Sequence, residues 1–293
     1  MFKGSFTALA TPFKDDRVDE VSFERLIEFQ IENGITGIVP AGSTGESATL
    51  DHQEHRQVIE LAVQSAKGRC KVIAGTGSNS TAEAVALTRD AESAGADAFL
   101  VVAPYYNKPS QEGVFQHFQK IAAATEKPVV LYSIPGRCVI EIAVETVARL
   151  AAHCPNIVAL KESGGNLERV NQLREALPES FALLSGDDSL TLPFMAVGAV
   201  GVISVASNLI PREVATLVRL LLEGDLLGGR RVHSRLYPLF RDLFAAPNPV
   251  PLKAALEWTG IIETPDVRLP LTSMPDSAAR TLRTTLERMG LIP

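Results

Sequence analysis

VVLYSIPGRC occupies residues 129–138, and VALKES follows at 158–163. Each opens as a short apolar run suited to a buried strand. Each ends on a residue that an apolar core does not choose: Tyr132 in the first, Lys161 in the second. Between them VETVARLAAH (144–153) carries its apolar residues at helical spacing. The same strand–helix–strand unit recurs along the chain. Further strand candidates are GSFTALATPF (4–13), TGIVPAG (36–42), CKVIAGT (70–76), DAFLVVAPY (97–105), FALLSGD (181–187) and GVISVAS (201–207), with the two quoted runs extending to 128–134 and 156–162. FERLIEFQIENG (23–34), HRQVIELAVQSAKG (55–68) and AEAVALTRDAESAG (82–95) read as helices closed by Gly34, Gly68 and Gly95, glycine being the favoured residue just past a helix end. Strands that alternate with helices pair in parallel, because each crossover returns the chain to the same edge.

Eight such units predict an α/β fold, a (β/α)8 TIM barrel over residues 1–225. The rival is an open doubly wound sheet, which calls for a glycine-rich phosphate loop after the first strand; ALATPF (8–13) stands there instead. Residues 226–293 read as a C-terminal helical extension packed on the barrel: LLGGRRVHSRLYPLFRDLF (226–244), NPVPLKAALEWTG (248–260) and SAARTLRTTLERMG (277–290).

Composition narrows the function classes. The chain has 293 residues, 46% hydrophobic and 21% charged, with a net charge of −6. No basic run offers a nucleic-acid surface, and no apolar stretch reaches the ~18 residues of a membrane span. The opening MFKGSFTALATPFKDD lacks the apolar core and cleavage site of a secretory leader. The 3 cysteines, Cys70, Cys138 and Cys154, match no metal spacing. They are expected to be reduced thiols in a cytoplasmic protein, with Cys138 a poor candidate nucleophile for want of a histidine nearby in sequence.

Barrels of this type work at the C-terminal ends of their strands, and that test sorts the lysines. Lys71 opens a strand and belongs to the opposite face. Lys67 and Lys120 fall in helices or at their ends. Lys3, Lys14, Lys108 and Lys127 lie in loops or at edges, and Lys253 in the extension. Lys161 alone ends an apolar strand. Alternation puts Ile157, Ala159 and Lys161 on one face, Val158 and Leu160 on the other, and Tyr132 on the face of Val130. Burial lowers the pKa of a lysine amine from ~10.4, and the neutral amine attacks carbonyls. Lys161 is therefore a candidate Schiff-base nucleophile; a structural lysine held by Glu162 or another carboxylate is the alternative.

Three loops add candidates. AGSTGES (41–47) combines turn-forming Gly42 and Gly45 with the hydroxyls of Ser43 and Thr44, a combination that can hold a carboxylate on main-chain amides or be a plain loop. Asp51 and Glu54 after it have capping-box spacing. In IPGRC (134–138), Arg137 near the mouth could take a carboxylate with two bonds or be a surface arginine. APYYNKPSQEG (103–113) presents Tyr105 and Tyr106 for packing, proton relay or partner contact.

GSTGES (42–47), PYYNKPSQEG (104–113), LYSIPGR (131–137), LKES (160–163) and SGDD (185–188), with PNPVPLK (247–253) and VRLPLT (267–272), together resemble the dihydrodipicolinate synthase family of the pyruvate-dependent class I aldolases, over essentially the whole chain. The resemblance implies condensation of pyruvate with L-aspartate 4-semialdehyde, the first committed step of the diaminopimelate route to lysine, with no metal and no organic cofactor. It implies that Lys161 forms the Schiff base and Tyr132 moves protons. Ser43, where the family usually has Thr, and Tyr106, from a neighbouring subunit, complete a hydroxyl relay. The amide of Thr44 takes the pyruvate carboxylate, Arg137 that of the second substrate, and Gly186 and Ile203 line the pocket.

The resemblance also implies a homotetramer, a dimer of dimers, and a lysine-binding regulatory site at Ser47, Ala48, His52, His55, Asn79, Glu83 and Tyr105. Read without it, His52 and His55 are i, i+3 neighbours expected to be solvated or lightly packed, with no metal. Ser133 and Cys138 depart from the usual Asn and Thr beside Arg137. N-acetylneuraminate lyase and the 2-keto-3-deoxy sugar acid aldolases share the chemistry and are the alternative; Arg137 argues for the synthase, since the sialic-acid lyases lack it there. A non-enzymatic carboxylate sensor is the remaining class.

Overall fold

The structure, a computed structural model, describes residues 2–293. Its strands are β1 (Gly4–Ala8), β2 (Gly37–Val39), β3 (Lys71–Gly75), β4 (Ala98–Val102), β5 (Val129–Ser133), β6 (Ile157–Glu162), β7 (Ala182–Ser185) and β8 (Gly201–Ser204). They form a closed parallel barrel in sequence order, β1 pairing with both β2 and β8. This is the expected (β/α)8 barrel.

Alternation sorts the strand side chains into two clusters. Phe6, Val39, Ile73, Leu100, Val130, Ala159, Leu184 and Ile203 fill the barrel interior. Ile38, Val72, Phe99, Leu131, Leu160 and Val202 face the helices. One stretch breaks the pattern. Ile157 joins the helix-facing cluster, and Val158 packs on the interior one, the reverse of the sequence expectation. The cause is a register shift: Val129 pairs with Ile157, but Val130 pairs with Ala159. The extra residue inverts the faces below Ala159. Above it, the order holds through Lys161.

The first strand ends sooner than expected, at Ala8. Leu9 N still bonds Val39 O at 3.0 Å. Ala10 N then turns to Asn208 Oδ1 (3.1 Å), Thr11 Oγ1 donates to Gly45 O (2.8 Å), and Pro12 has no N–H to continue a ladder. A short hairpin, Phe13–Lys14 with Arg17–Val18, follows.

Helix punctuation follows the sequence. Gly34, Gly68 and Gly95 have φ of +79°, +72° and +97°. Asp51 and Glu54 form the capping box of helix His52–Ala66. After β8 and helix Pro211–Leu222 come Leu226–Asp242, Val250–Trp258 and Asp276–Arg288. These late segments contact the mouth of the barrel. Lys253 Nζ, fully buried, donates to buried Glu46 Oε1 at 2.6 Å, and Arg268 grips Glu54 through two bonds of 2.6 Å. No described helix is long and apolar enough to cross a membrane.

Candidate active site

β5 and β6 are neighbours, and Tyr132 pairs in register with Lys161. Both residues are 95% buried, and Lys161 Nζ lies 4.2 Å from the centre of the Tyr132 ring. Glu162 does not hold the lysine. It points to the helix side, where Arg169 Nε donates to Oε2 (2.9 Å) and Gly164 N to Oε1 (2.6 Å). No ion pair among the described residues includes Lys161. The structural alternative for this lysine therefore lacks its partner.

Above Lys161 is a cavity of about 60 Å³, walled by Lys161, Tyr132, Ser43, Thr44, Arg137 and Gly186. That is several times the minimum that admits one water, enough space for a small molecule such as a keto acid. A Cβ at Gly186 would lie 1.9 Å from Ser163 Oγ and 2.8 Å from Lys161 Cε, so a larger residue there would push one of these side chains aside. Ile203 belongs to the interior cluster of the barrel, and the wall at that strand is Val205. Val205 is set by Asp188 of SGDD, whose Oδ2 accepts from the amides of Val205 (3.0 Å) and Ala206 (2.9 Å).

The 41–47 loop is a tight turn closed by Gly45 N and Ser47 N on Gly42 O, at 3.0 and 3.2 Å. Ala41 and Glu46 both take φ of +54°, and the Lys253 bond anchors Glu46. Among the described residues, the amides of Ser43 and Thr44 have no main-chain partner. Arg137 is exposed at the rim, and its Nη2 donates to Asn248 O at 3.2 Å. Cys138 is buried with its Sγ on Ala103 O at 3.3 Å. Burial pushes its thiol up to about 11, so it is not a nucleophile at neutral pH.

A larger cavity of about 440 Å³ adjoins the first and shares Ser43, Ile134, Arg137 and Asn248 with it. Ser47, Ala48, His52, His55, Glu83 and Tyr105 line its far side. Asn79 is not in that wall; its Nδ2 donates to Tyr105 O at 3.1 Å. Glu83 is held below the usual carboxylate range by the Ser78 hydroxyl, then by His52 Nε2 at 3.0 Å. The two histidines differ. His52 is solvated as expected. His55 is buried, contrary to expectation, because its helix packs on β3 and Nε2 donates to Gly75 O at 2.8 Å. Burial lowers its pKa. Tyr106 is 86% exposed at φ +73° and contributes to neither cavity. No metal-binding cluster occurs among the described residues.

Asn248 and Phe244, from the segment after helix Leu226–Asp242, complete the small cavity. The sequence does not mark either as a site residue, although Asn248 falls within the motif PNPVPLK.

A parallel barrel with an unpaired buried lysine at the C-terminal end of one strand, and a tyrosine beside it on the next, defines a Schiff-base lyase of the class I aldolase type. The family model described as the dihydrodipicolinate synthetase family matches residues 1–289, and the chain belongs to that family. A 4-hydroxy-tetrahydrodipicolinate synthase of Persephonella marina is 50% identical over 292 residues, covering 100% of each chain. The crystal structure of dihydrodipicolinate synthase from Aquifex aeolicus superposes with a TM-score of 0.98 at 51% identity, covering 99% of each chain. A Cyanidioschyzon merolae structure with lysine bound superposes with a TM-score of 0.96 at 44% identity, again over 99% of each chain.

Proposed function

We propose that the chain condenses pyruvate with L-aspartate 4-semialdehyde through a Schiff base on Lys161, giving 4-hydroxy-tetrahydrodipicolinate on the diaminopimelate route to lysine. The observation that carries this reading is Lys161 itself, buried without a carboxylate partner, beside Tyr132 and under a cavity of keto-acid size. Lys161 Nζ attacks the pyruvate carbonyl, and water leaves as the C=N bond forms. Tyr132 relays a proton off the methyl group to give an enamine. The enamine carbon attacks the aldehyde, whose oxygen takes a proton and becomes the 4-hydroxyl. The amine of the second substrate then adds to the imine carbon, the bond to Nζ breaks, and the ring is closed. The adduct is its own electron sink.

The amides of Ser43 and Thr44 suit the pyruvate carboxylate, and Arg137 at the rim suits that of the second substrate. Tyr106 stands in solvent outside its own cavity, which supports a relay of Tyr132, Ser43 and a second copy's Tyr106 within a homotetramer. Glu83 in the outer cavity suits an ammonium group, and the lysine-bound relative supports feedback inhibition there. A cytoplasmic location accords with this metabolic role.

Borohydride with pyruvate, followed by peptide mass spectrometry, tests the chemistry. The label belongs on Lys161; label on another residue refutes the assignment. Turnover with the semialdehyde, run with and without lysine and at dilutions that dissociate subunits, tests the rest. An active monomer, or no response to lysine, removes the corresponding proposal.

A further inference from the structure

Asn248 occupies the boundary between the two cavities and lines both. It touches each half of the site by a different part of itself. Its side-chain Nδ2 donates to Thr44 Oγ1 at 3.0 Å. Its main-chain oxygen accepts from Arg137 Nη2 at 3.2 Å. The residue is only 7% exposed, and its Oδ1 is buried without a hydrogen-bond partner. An orphaned buried carbonyl is unfavourable, and packing alone would be better served by an apolar side chain. What the amide supplies is its donor. With Thr44 Oγ1 accepting from Nδ2, the threonine's own proton is directed to another acceptor.

The surroundings make Asn248 a stiff support. Pro247 and Pro249 flank it, and Val250 N closes a turn on Pro247 O at 2.9 Å. One turn further on, Lys253 is tied to Glu46, two residues beyond Thr44. The 43–47 loop is thus gripped at two points by the same late segment.

We propose that Asn248 is a positioning residue: its side chain sets Thr44 for the pyruvate carboxylate, while its main chain independently steadies Arg137 for the second substrate. This rests on the reaction proposed above. Because the two contacts use different parts of one residue, a side-chain substitution separates them. Asn248→Ala keeps the carbonyl that Arg137 uses and removes only the donor to Thr44.

The test measures the pyruvate concentration for half-maximal borohydride trapping on Lys161, together with KM for each substrate and the melting temperature. For Asn248→Ala the trapping midpoint and the pyruvate KM are expected to rise about tenfold, the scale of one hydrogen bond. KM for the semialdehyde stays within about twofold. Thr44→Val gives the same shift, and the double variant goes no further. Asn248→Leu, of similar size but without the donor, follows Asn248→Ala and supplies the reading if the alanine variant fails to fold. Unchanged pyruvate dependence in Asn248→Leu, additive effects with Thr44→Val, or a parallel rise in both KM values would overturn the proposal. Wild-type protein that traps pyruvate but does not turn over the semialdehyde would refute the reaction instead, with the trapping midpoint still reporting on Asn248.

Discussion

Lys161 lies over the ring of Tyr132 and Lys253 over the ring of Phe13, each amine 4.2 Å from the ring centre. The two surroundings then diverge. Lys253 is wholly buried against Glu46 at 2.6 Å, and that carboxylate opposes the pull of burial, which lowers the lysine's pKa. Lys161 has the ring, Gly186 and a cavity, and no carboxylate. A buried lysine with an anion is a tie between segments. One without an anion, opening on space for a small molecule, is equipped for covalent chemistry. The comparison also shows that aromatic stacking and burial do not by themselves mark a nucleophile.

The sharpest way to break the comparison is to remove each amine in turn. Lys161→Ala is expected to lower kcat by about 10⁴-fold or more, the scale seen when a nucleophile is deleted, with circular dichroism and melting temperature near wild type. Residual activity within about tenfold of wild type would move the chemistry elsewhere. Lys253→Met should act oppositely. It strands the buried Glu46 carboxylate and lowers unfolding free energy by about 3–5 kcal/mol, read by urea titration. Folded protein should still trap pyruvate on Lys161. Adding Glu46→Gln should recover much of that stability; if it does not, the pair is not the cause.

A buried base without any acidic partner extends the series. His117 is 5% exposed, has Thr81 Oγ1 at 2.9 Å from Nδ1, and leaves Nε2 unpaired. Burial pushes its pKa down to about 4. The unfolded chain binds a proton below about pH 6.5, whereas the folded chain resists until about 4. Stability is therefore full above 6.5 and falls as the pH drops through that window, by up to about 3 kcal/mol. His55 and His233, also lowered by burial, add in the same direction. Urea midpoints at pH 7 and 4.5 should differ less in His117→Asn than in wild type; an identical difference would show that His117 does not contribute.

The legible parts of the site were those set by local spacing. Tyr132 and Lys161 could be paired because both end strands and period-two alternation holds near the mouth. The capping box of Asp51 and Glu54 spans three residues and was readable for the same reason. Alternation failed at Ile157 and Val158, where an irregular register with the neighbouring strand inverts the faces, and nothing in NIVALKE signals that. His55 looked solvated because its partner, Gly75 O, belongs to a strand twenty residues on.

The chain's own order of residues determined the repeating strand–helix unit, the closed barrel it implies and the one lysine at a strand's open end, because periodicity and turn chemistry act over a few neighbours. Folding decided which buried lysine is free and which is paired, and that Asn248 meets Thr44 across 204 residues and Lys253 meets Glu46 across 207. Contacts at such separation leave no local pattern; they exist only once barrel closure and the packing of the late helices bring both ends of the chain to one mouth.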